Sequence, residues 1–198
     1  MNKELDEYIR KICNDARVAA KIISNASTEN KNRALFSVAE IIRQSEKKII
    51  VANEKDLSSV EGIEDSMVDR LTLNPERIES MAQGVEEVAA LPDCVGEITD
   101  LCYRPSGIQV GKMRVPIGVV AVVYESRPNV TVDVSSLCLK SGNSVILRGG
   151  SEATETNEAI LKCVHQGLKS AGLPILAVQL ILRKSRDVVS ELLKKEQD

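Results

Sequence analysis

The 198-residue sequence contains no Trp, one Phe and three Tyr, so it offers almost no aromatic surface on which nucleic-acid bases could stack. Positive charge is not in excess either. The 26 Lys and Arg stand against 29 Asp and Glu, a formal net charge of −3 and a pI near 5.4, which gives a polyanion no electrostatic footprint. Nucleic acid is therefore excluded as an expected partner. Long apolar runs are missing as well: the longest, residues 115–124, is ten residues and holds Pro116, against about 20 needed to cross a bilayer. No membrane partner is expected.

The opening MNKELDEYIR mixes both signs of charge without an apolar segment, unlike a secretory signal or an Arg-rich transit peptide, and points to a cytoplasmic protein. Cysteines number five, without a C-x-x-C pair, and His165 is the one histidine; neither a disulfide framework nor a metal site is expected. No G-x-G-x-x-G or Walker sequence occurs. What is present is 43% hydrophobic and 28% charged residues with 11 Gly and 6 Pro, the composition of a folded chain able to bury a sizeable core.

Leu5, Ile9, Ile12, Ala16, Ala19 and Ile23 recur by threes and fours and predict a first helix. A second is expected from an N-cap at Thr28 through Leu35, Val38, Ile42 and Ile49, with Arg33, Glu40, Arg43 and Lys47 on its charged face. Asn74-Pro75 opens a third, lined by Ile78, Met81, Val85 and Val88 and stopped at Leu91-Pro92. These helices read as packing material without chemistry. The period then changes. Residues 97–103 and 108–114 flank Arg104-Pro105-Ser106-Gly107 and predict a β-hairpin.

Residues 119–124, a β-branched run without polar alternation, predict a parallel strand covered on both faces and the most buried of the chain. A helix over about 131–140 ending at Gly142-Asn143, a strand over 144–148, a helix from Gly149-Gly150 to Gly172, a strand over 177–182 and a last helix capped by Ser185 or Asp187 complete the order βαβαβα. That order predicts an α/β fold: a Rossmann-like, doubly wound parallel sheet with flanking helices and right-handed crossovers.

Ligands of such sheets bind beyond the carboxyl ends of the strands, which singles out residues 125–130 and 148–152. Arg148-Gly149-Gly150-Ser151 places a cation and two flexible residues before a helix N-terminus, where free N–H groups and the helix dipole favour a phosphate. A tight turn needing glycine, with Arg148 solvated, accounts for the same residues equally well. Glu125-Ser126-Arg127-Pro128-Asn129 gathers polar groups that either line a cleft or make a loop in which Asn129 caps the next helix and Arg127 pairs with Glu125. Cys138, between Leu137 and Leu139, reads as a small hydrophobe. His165, between Lys162 and Lys169, reads as a surface residue.

MRVPIGVVAVVYESRPNVTVD and LCLKSGNSVILRGGSEA, together with NRALFSVAEIIRQSEKKIIVANEKDL and DRLTLNPERIESMAQGVEEVAALPDCVGEI in the same order, closely resemble the γ-glutamyl phosphate reductase family. That family is a proline-biosynthesis branch of the aldehyde dehydrogenase superfamily, and the resemblance runs essentially from end to end. It implies an NADPH-dependent reductase of L-glutamyl 5-phosphate acting through a Cys thiolate and a thioacyl enzyme. It implies that Asn129, in RPNV, donates its side-chain amide to the oxyanion. It also implies that Arg148 contacts the adenosine ribose, that Ser126, Arg127, Gly149, Gly150 and Ser151 line the cofactor cleft, and that no metal takes part. Relatives preferring NAD tend to carry an acid where this sequence has Ser151, so a 2′-phosphate is expected to meet Arg148 and a hydroxyl without a repelling carboxylate.

Under this resemblance residues 1–96 are N-terminal helices of the cofactor domain, 97–114 an oligomerisation arm that makes a homo-oligomer possible, and 115–198 the nucleotide-binding part. None of the five cysteines stands in the family's G-N-C context, so the catalytic Cys domain is expected to be absent and the chain by itself to lack reductase turnover. The other readings are a non-catalytic nucleotide-binding or oligomerisation module, or part of another acyl-phosphate or aldehyde reductase of the superfamily.

Overall fold

The computed structural model describes residues 3–59, 64–125, 127–183, 185 and 187–195. Helix α1 (Lys3–Ile23) buries the predicted stripe along its length. Helix α2 (Thr28–Gln44) is capped by Ser27, whose hydroxyl accepts from the Asn30 N–H at 3.2 Å. The cap therefore falls one residue before Thr28, and the Thr28 hydroxyl instead donates to Asp93 Oδ2 at 2.7 Å. The expected single helix through Ile49 is two. The Ser45 N–H closes onto both Ile41 O and Ile42 O, and α3 (Glu46–Ser59) starts afresh, carrying Lys47 and the buried Ile49.

A short helix, α4 (Asp65–Leu71), follows; its seven residues give too little periodicity to be read from the sequence. Helix α5 (Pro75–Ala90) begins as expected, with Asn74 Oδ1 accepting from the Arg77 N–H at 2.8 Å. Strands β1 (Ile98–Tyr103) and β2 (Gln109–Met113) form the antiparallel hairpin, every residue of both strands exposed. Its register shifts between Thr99 and Cys102, where Asp100 adopts φ 55°, a bulge that twists the ribbon and blunts its edge.

Strand β3 (Val119–Val123), helix α6 (Asn129–Lys140), strand β4 (Ser144–Arg148), helix α7 (Thr154–Ser170), strand β5 (Val178–Leu180) and helix α8 (Asp187–Leu193) give the anticipated alternation. The sheet is parallel in the order β3-β4-β5, with Val119 opposite Ser144 and Val145 opposite Val178. Gly142, at φ 77°, ends α6 where expected. The third strand is shorter than 177–182 because a 3-10 turn occupies Ile175–Ala177. Ser185 Oγ accepts from the Asp187 N–H at 3.3 Å, in keeping with a cap at the start of α8.

Side chains of β4 alternate between two cores. Val145 and Leu147 pack with α2, α5, α6 and α7, whereas Ile146 packs with Leu5, Ile9 and Ile12 of α1 and Val188 and Leu192 of α8. The strand buried on both faces is therefore β4, not β3. β3 is one of the two sheet edges among the described residues, and Val123 is 54% exposed. A β-branched run marks a strand but does not say which of its faces is covered.

Candidate functional site

Two clefts open at the carboxyl ends of the strands. Beyond β4 and β5 a narrow one is lined by Arg148, Gly149, Gly150, Ser151, Thr154 and Arg183, among others. Gly149 is required by crowding: a Cβ there would lie 2.4 Å from the Asn157 amide nitrogen and 3.1 Å from the Tyr124 hydroxyl. Those side chains belong to one chain of hydrogen bonds, Tyr124 Oη with Thr131 Oγ1 at 2.7 Å and Thr131 Oγ1 donating to Asn157 Oδ1 at 2.8 Å. Burial raises the Tyr124 pKa, keeping the phenol protonated as a donor. The chain ties the end of β3 to the first turns of α6 and α7, forming the floor beneath the glycines.

The α7 N-terminus is not the open anion site that the Gly-Gly sequence suggests. Asp56 of α3, 4% exposed, accepts from the Glu155 N–H at 3.1 Å, the Thr156 N–H at 2.8 Å and the Thr156 hydroxyl at 2.6 Å. An internal carboxylate thus satisfies the amides that a phosphate would have used. Beside it, Asn53 Nδ2 donates to Leu71 O at 2.9 Å and its Oδ1 accepts from the Leu73 N–H at 2.7 Å, pinning the segment that follows α4. Helix α3 therefore does more than pack. The Ser151 hydroxyl donates to the carboxylate of its neighbour Glu152, at Oε2, over 3.3 Å.

Beyond β3, a cavity of about 420 Å³ is lined by Arg70, Arg77, Ser80, Arg127, Asn129 and Asp133, among others. Asn129 is the first residue of α6 and Pro128 its cap, so Asn129 does not cap the helix with its own side chain. Its Nδ2 instead donates to Asp133 Oδ2 at 2.9 Å, which orients the carboxamide and leaves its second N–H for a ligand. Burial raises the Asp133 pKa, opposed by the Asn129 bond. Arg127 is exposed, and its backbone N–H donates to Glu125 O at 2.7 Å. Ser126 lies outside the described residues. The structure thus separates the predicted site residues into two clefts, Arg127 and Asn129 at one and Arg148 to Ser151 at the other. Sequence reasoning missed Arg70, Asp133, Asp56 and Asn53; the Asn129/Asp133 spacing of one helical turn was the available signal.

No cysteine lines either cleft. Burial raises the thiol pKa of Cys13 and Cys163 and pushes that of Cys138 up to about 11, while Cys102 is exposed on the hairpin. Iodoacetamide at pH 8 with peptide mass mapping is expected to modify Cys102 first and Cys138 and Cys163 last; fast alkylation of Cys138 would contradict its placement. His165 is not a free surface residue: its Nε2 lies 2.7 Å from Val178 O. Among the described residues no group of three His, Cys, Asp or Glu side chains is arranged to hold a metal, and no helix is long and apolar enough to cross a membrane.

The fold matches γ-glutamyl phosphate reductase from Thermotoga maritima with a TM-score of 0.90 and 39% identity, over 93% of this chain and 45% of that one. The Saccharomyces cerevisiae γ-glutamyl phosphate reductase matches at 0.83 and 31%, over 91% and 47%. A probable aldehyde dehydrogenase from Listeria monocytogenes, 15% identical with a TM-score of 0.74 over 98% of this chain and 40% of that one, shares the fold. The chain spans less than half the length of each. This fold implies a nicotinamide cofactor, and the sequence model of the aldehyde dehydrogenase family matches residues 2–197. The chain belongs to the aldehyde dehydrogenase family.

Proposed function

We propose that this chain provides the cofactor-binding side and the oxyanion donor of an NADPH-dependent reductase converting L-glutamyl 5-phosphate to L-glutamate 5-semialdehyde and phosphate, a cytoplasmic step of proline biosynthesis. The observation that carries the reading is Asn129, held by Asp133 with one N–H left over at the wall of an arginine-lined cavity. The similarity to the two γ-glutamyl phosphate reductases supports this choice of substrate. In this reading residues 1–96 are N-terminal helices of the cofactor domain, 97–114 the arm that pairs subunits, and 115–198 the nucleotide-binding part. The exposed Ile98, Leu101, Tyr103 and Met113 support an arm that gains by being covered.

The polar lining of the narrow cleft, the Arg148 guanidinium with the hydroxyls of Ser151 and Thr154, suits a phosphate-bearing group of a dinucleotide, and Arg183 beside them is paired with Glu4. When bound, the nicotinamide supplies the hydride that takes a thioester to the aldehyde level. Asn129 donates its second N–H to the oxygen on which charge develops, a donor already oriented before the reaction begins. Sulfur must displace phosphate from the acyl carbon and be expelled again as the aldehyde forms. None of the described cysteines lines the cavity at Asn129, so in this reading none of them is the nucleophile.

Titration calorimetry with NADPH and NADH tests the cofactor assignment, since the chain has no Trp for fluorescence. NADPH is expected to bind more tightly, and Arg148→Ala to weaken it about 10- to 100-fold, as for loss of a charge-assisted hydrogen bond. Glu152→Gln is expected to raise the preference for NADPH, because it removes the carboxylate beside Ser151. Tighter binding of NADH, no binding of either, or an Arg148→Ala variant indistinguishable from the parent would overturn the assignment.

A further inference from the structure

Most arginines of the molecule are engaged. Arg10, Arg43, Arg77, Arg114 and Arg183 each pair with a carboxylate, and Arg33 donates to Asn30 Oδ1 and Ala171 O. Arg70 and Arg127, like Arg104 on the exposed hairpin turn, differ: among the described residues no side chain forms an ion pair or hydrogen bond with them. They come from distant segments, the last turn of α4 and the loop after β3, yet both line the cavity at Asn129. Both also line a neighbouring cavity of about 360 Å³, so they stand at the boundary between the two. Neither guanidinium has a protein counter-ion among the described residues, which leaves the donor forks of both available to an anion in the cavity they border.

The acids of the region decide on which side that anion sits. Glu125 lines the smaller cavity. In the larger one, Asp69 is neutralised by Arg77 at 2.7 Å and Asp133 is held by Asn129 at 2.9 Å, with burial favouring its protonated form. The larger cavity is the electropositive one. Arg70 is also held in place: it directly precedes Leu71, whose carbonyl is bonded by the buried Asn53.

We propose that Arg70 and Arg127 form a cradle in the larger cavity for a carboxylate or phosphate group of the substrate whose reacting carbon lies at Asn129. The assignment of the reacting end rests on the reading of Asn129 above; the cradle itself rests on charge and geometry. Binding a planar or tetrahedral oxyanion group between two guanidinium forks gives orientation as well as affinity. It makes both arginines specificity-determining: a neutral acyl compound would form no charge-assisted hydrogen bond with either guanidinium.

The test follows Arg Nε–H and Asn side-chain resonances of the isotope-labelled chain by NMR during titration with inorganic phosphate and, separately, with glutarate. Saturable shifts at Arg70, Arg127 and Asn129 are expected with at least one titrant, weakened about 10- to 100-fold in Arg70→Gln and in Arg127→Gln and less in the lysine variants. Saturation by phosphate alone assigns the cradle to the leaving phosphate; saturation by glutarate alone assigns it to a substrate carboxylate. No saturable shift with either, or an affinity unchanged in the double glutamine variant, overturns the proposal. Both arginines are exposed, so the variants are expected to fold, and an unchanged amide spectrum verifies it. No dinucleotide is present in this titration, and anion binding at the other cleft would shift Arg148 instead. Failure of the cradle and failure of the cofactor assignment are thus separate results.

Discussion

Replacing Asp56 by alanine is expected to lower the stability of the chain by about 3 kcal/mol, near the upper end for a single polar residue. The carboxylate accepts three hydrogen bonds at the start of α7 from a position 99 residues away in sequence from Glu155. Losing a helix cap costs about 1–2 kcal/mol, and leaving buried donors unsatisfied adds about 1–3 kcal/mol. Thermal unfolding is expected to show a midpoint lower by about 6–12 °C for a chain of this size. Asp56→Asn keeps one acceptor oxygen and the same shape, so it should fall between the parent and alanine. An alanine variant within 1 kcal/mol of the parent would mean that water takes over the cap. The functional consequence follows from position: the α7 start adjoins Ser151 and Thr154, so its fraying would loosen the narrow cleft and weaken dinucleotide binding together with stability.

Gly167→Ala is the second large effect, and its sign opposes helix propensity. Glycine in a helix interior is about 1 kcal/mol less favourable than alanine, so an α7 taken in isolation would gain from the change. In the fold, the added Cβ would lie 2.3 Å from Val38 Cγ2, 2.9 Å from the Val38 backbone nitrogen and 3.0 Å from Ala34 O. The Val38 side chain could turn, but the two backbone atoms belong to α2 and cannot yield without separating the helices. A net loss of about 2 kcal/mol is expected, since overpacking typically costs about 1–3 kcal/mol. Denaturant unfolding measures it, and the Val38→Ala/Gly167→Ala double variant should recover only part of the loss. A single variant more stable than the parent would show that α2 and α7 have room to separate.

How far each part could be read from the residues follows from the range of the physics. The stripe of α1, the Asn74-Pro75 start of α5, the hairpin around Arg104 to Gly107 and the βαβαβα order depend on neighbours within one or two turns, and each forms where expected. The break at Ser45 and the seven-residue α4 did not show, because an apolar stripe continues across the first and the second is too short to have one. Asn129 and Arg127 stood out as a polar cluster after a strand, and their family resemblance gave Asn129 a role. That Asn129 is oriented by Asp133, and that Arg70 shares its cavity, depends on side chains brought together by packing.

The clearest division lies at the start of α7. Two glycines before a helix announce free amides, and local sequence can say no more than that an anion would suit them. Which anion arrives is settled by the packing of α3 against α7, which delivers Asp56 to those amides from a distant part of the chain. In the same way the β-branched run of 119–123 specifies a strand, while its place at the edge and the burial of β4 on both faces follow from the sheet order and from where α1 and α8 come to rest. Backbone preference acts through adjacent residues and is written in the sequence, whereas burial and electrostatic pairing act through space, between residues that become neighbours only when the chain has folded.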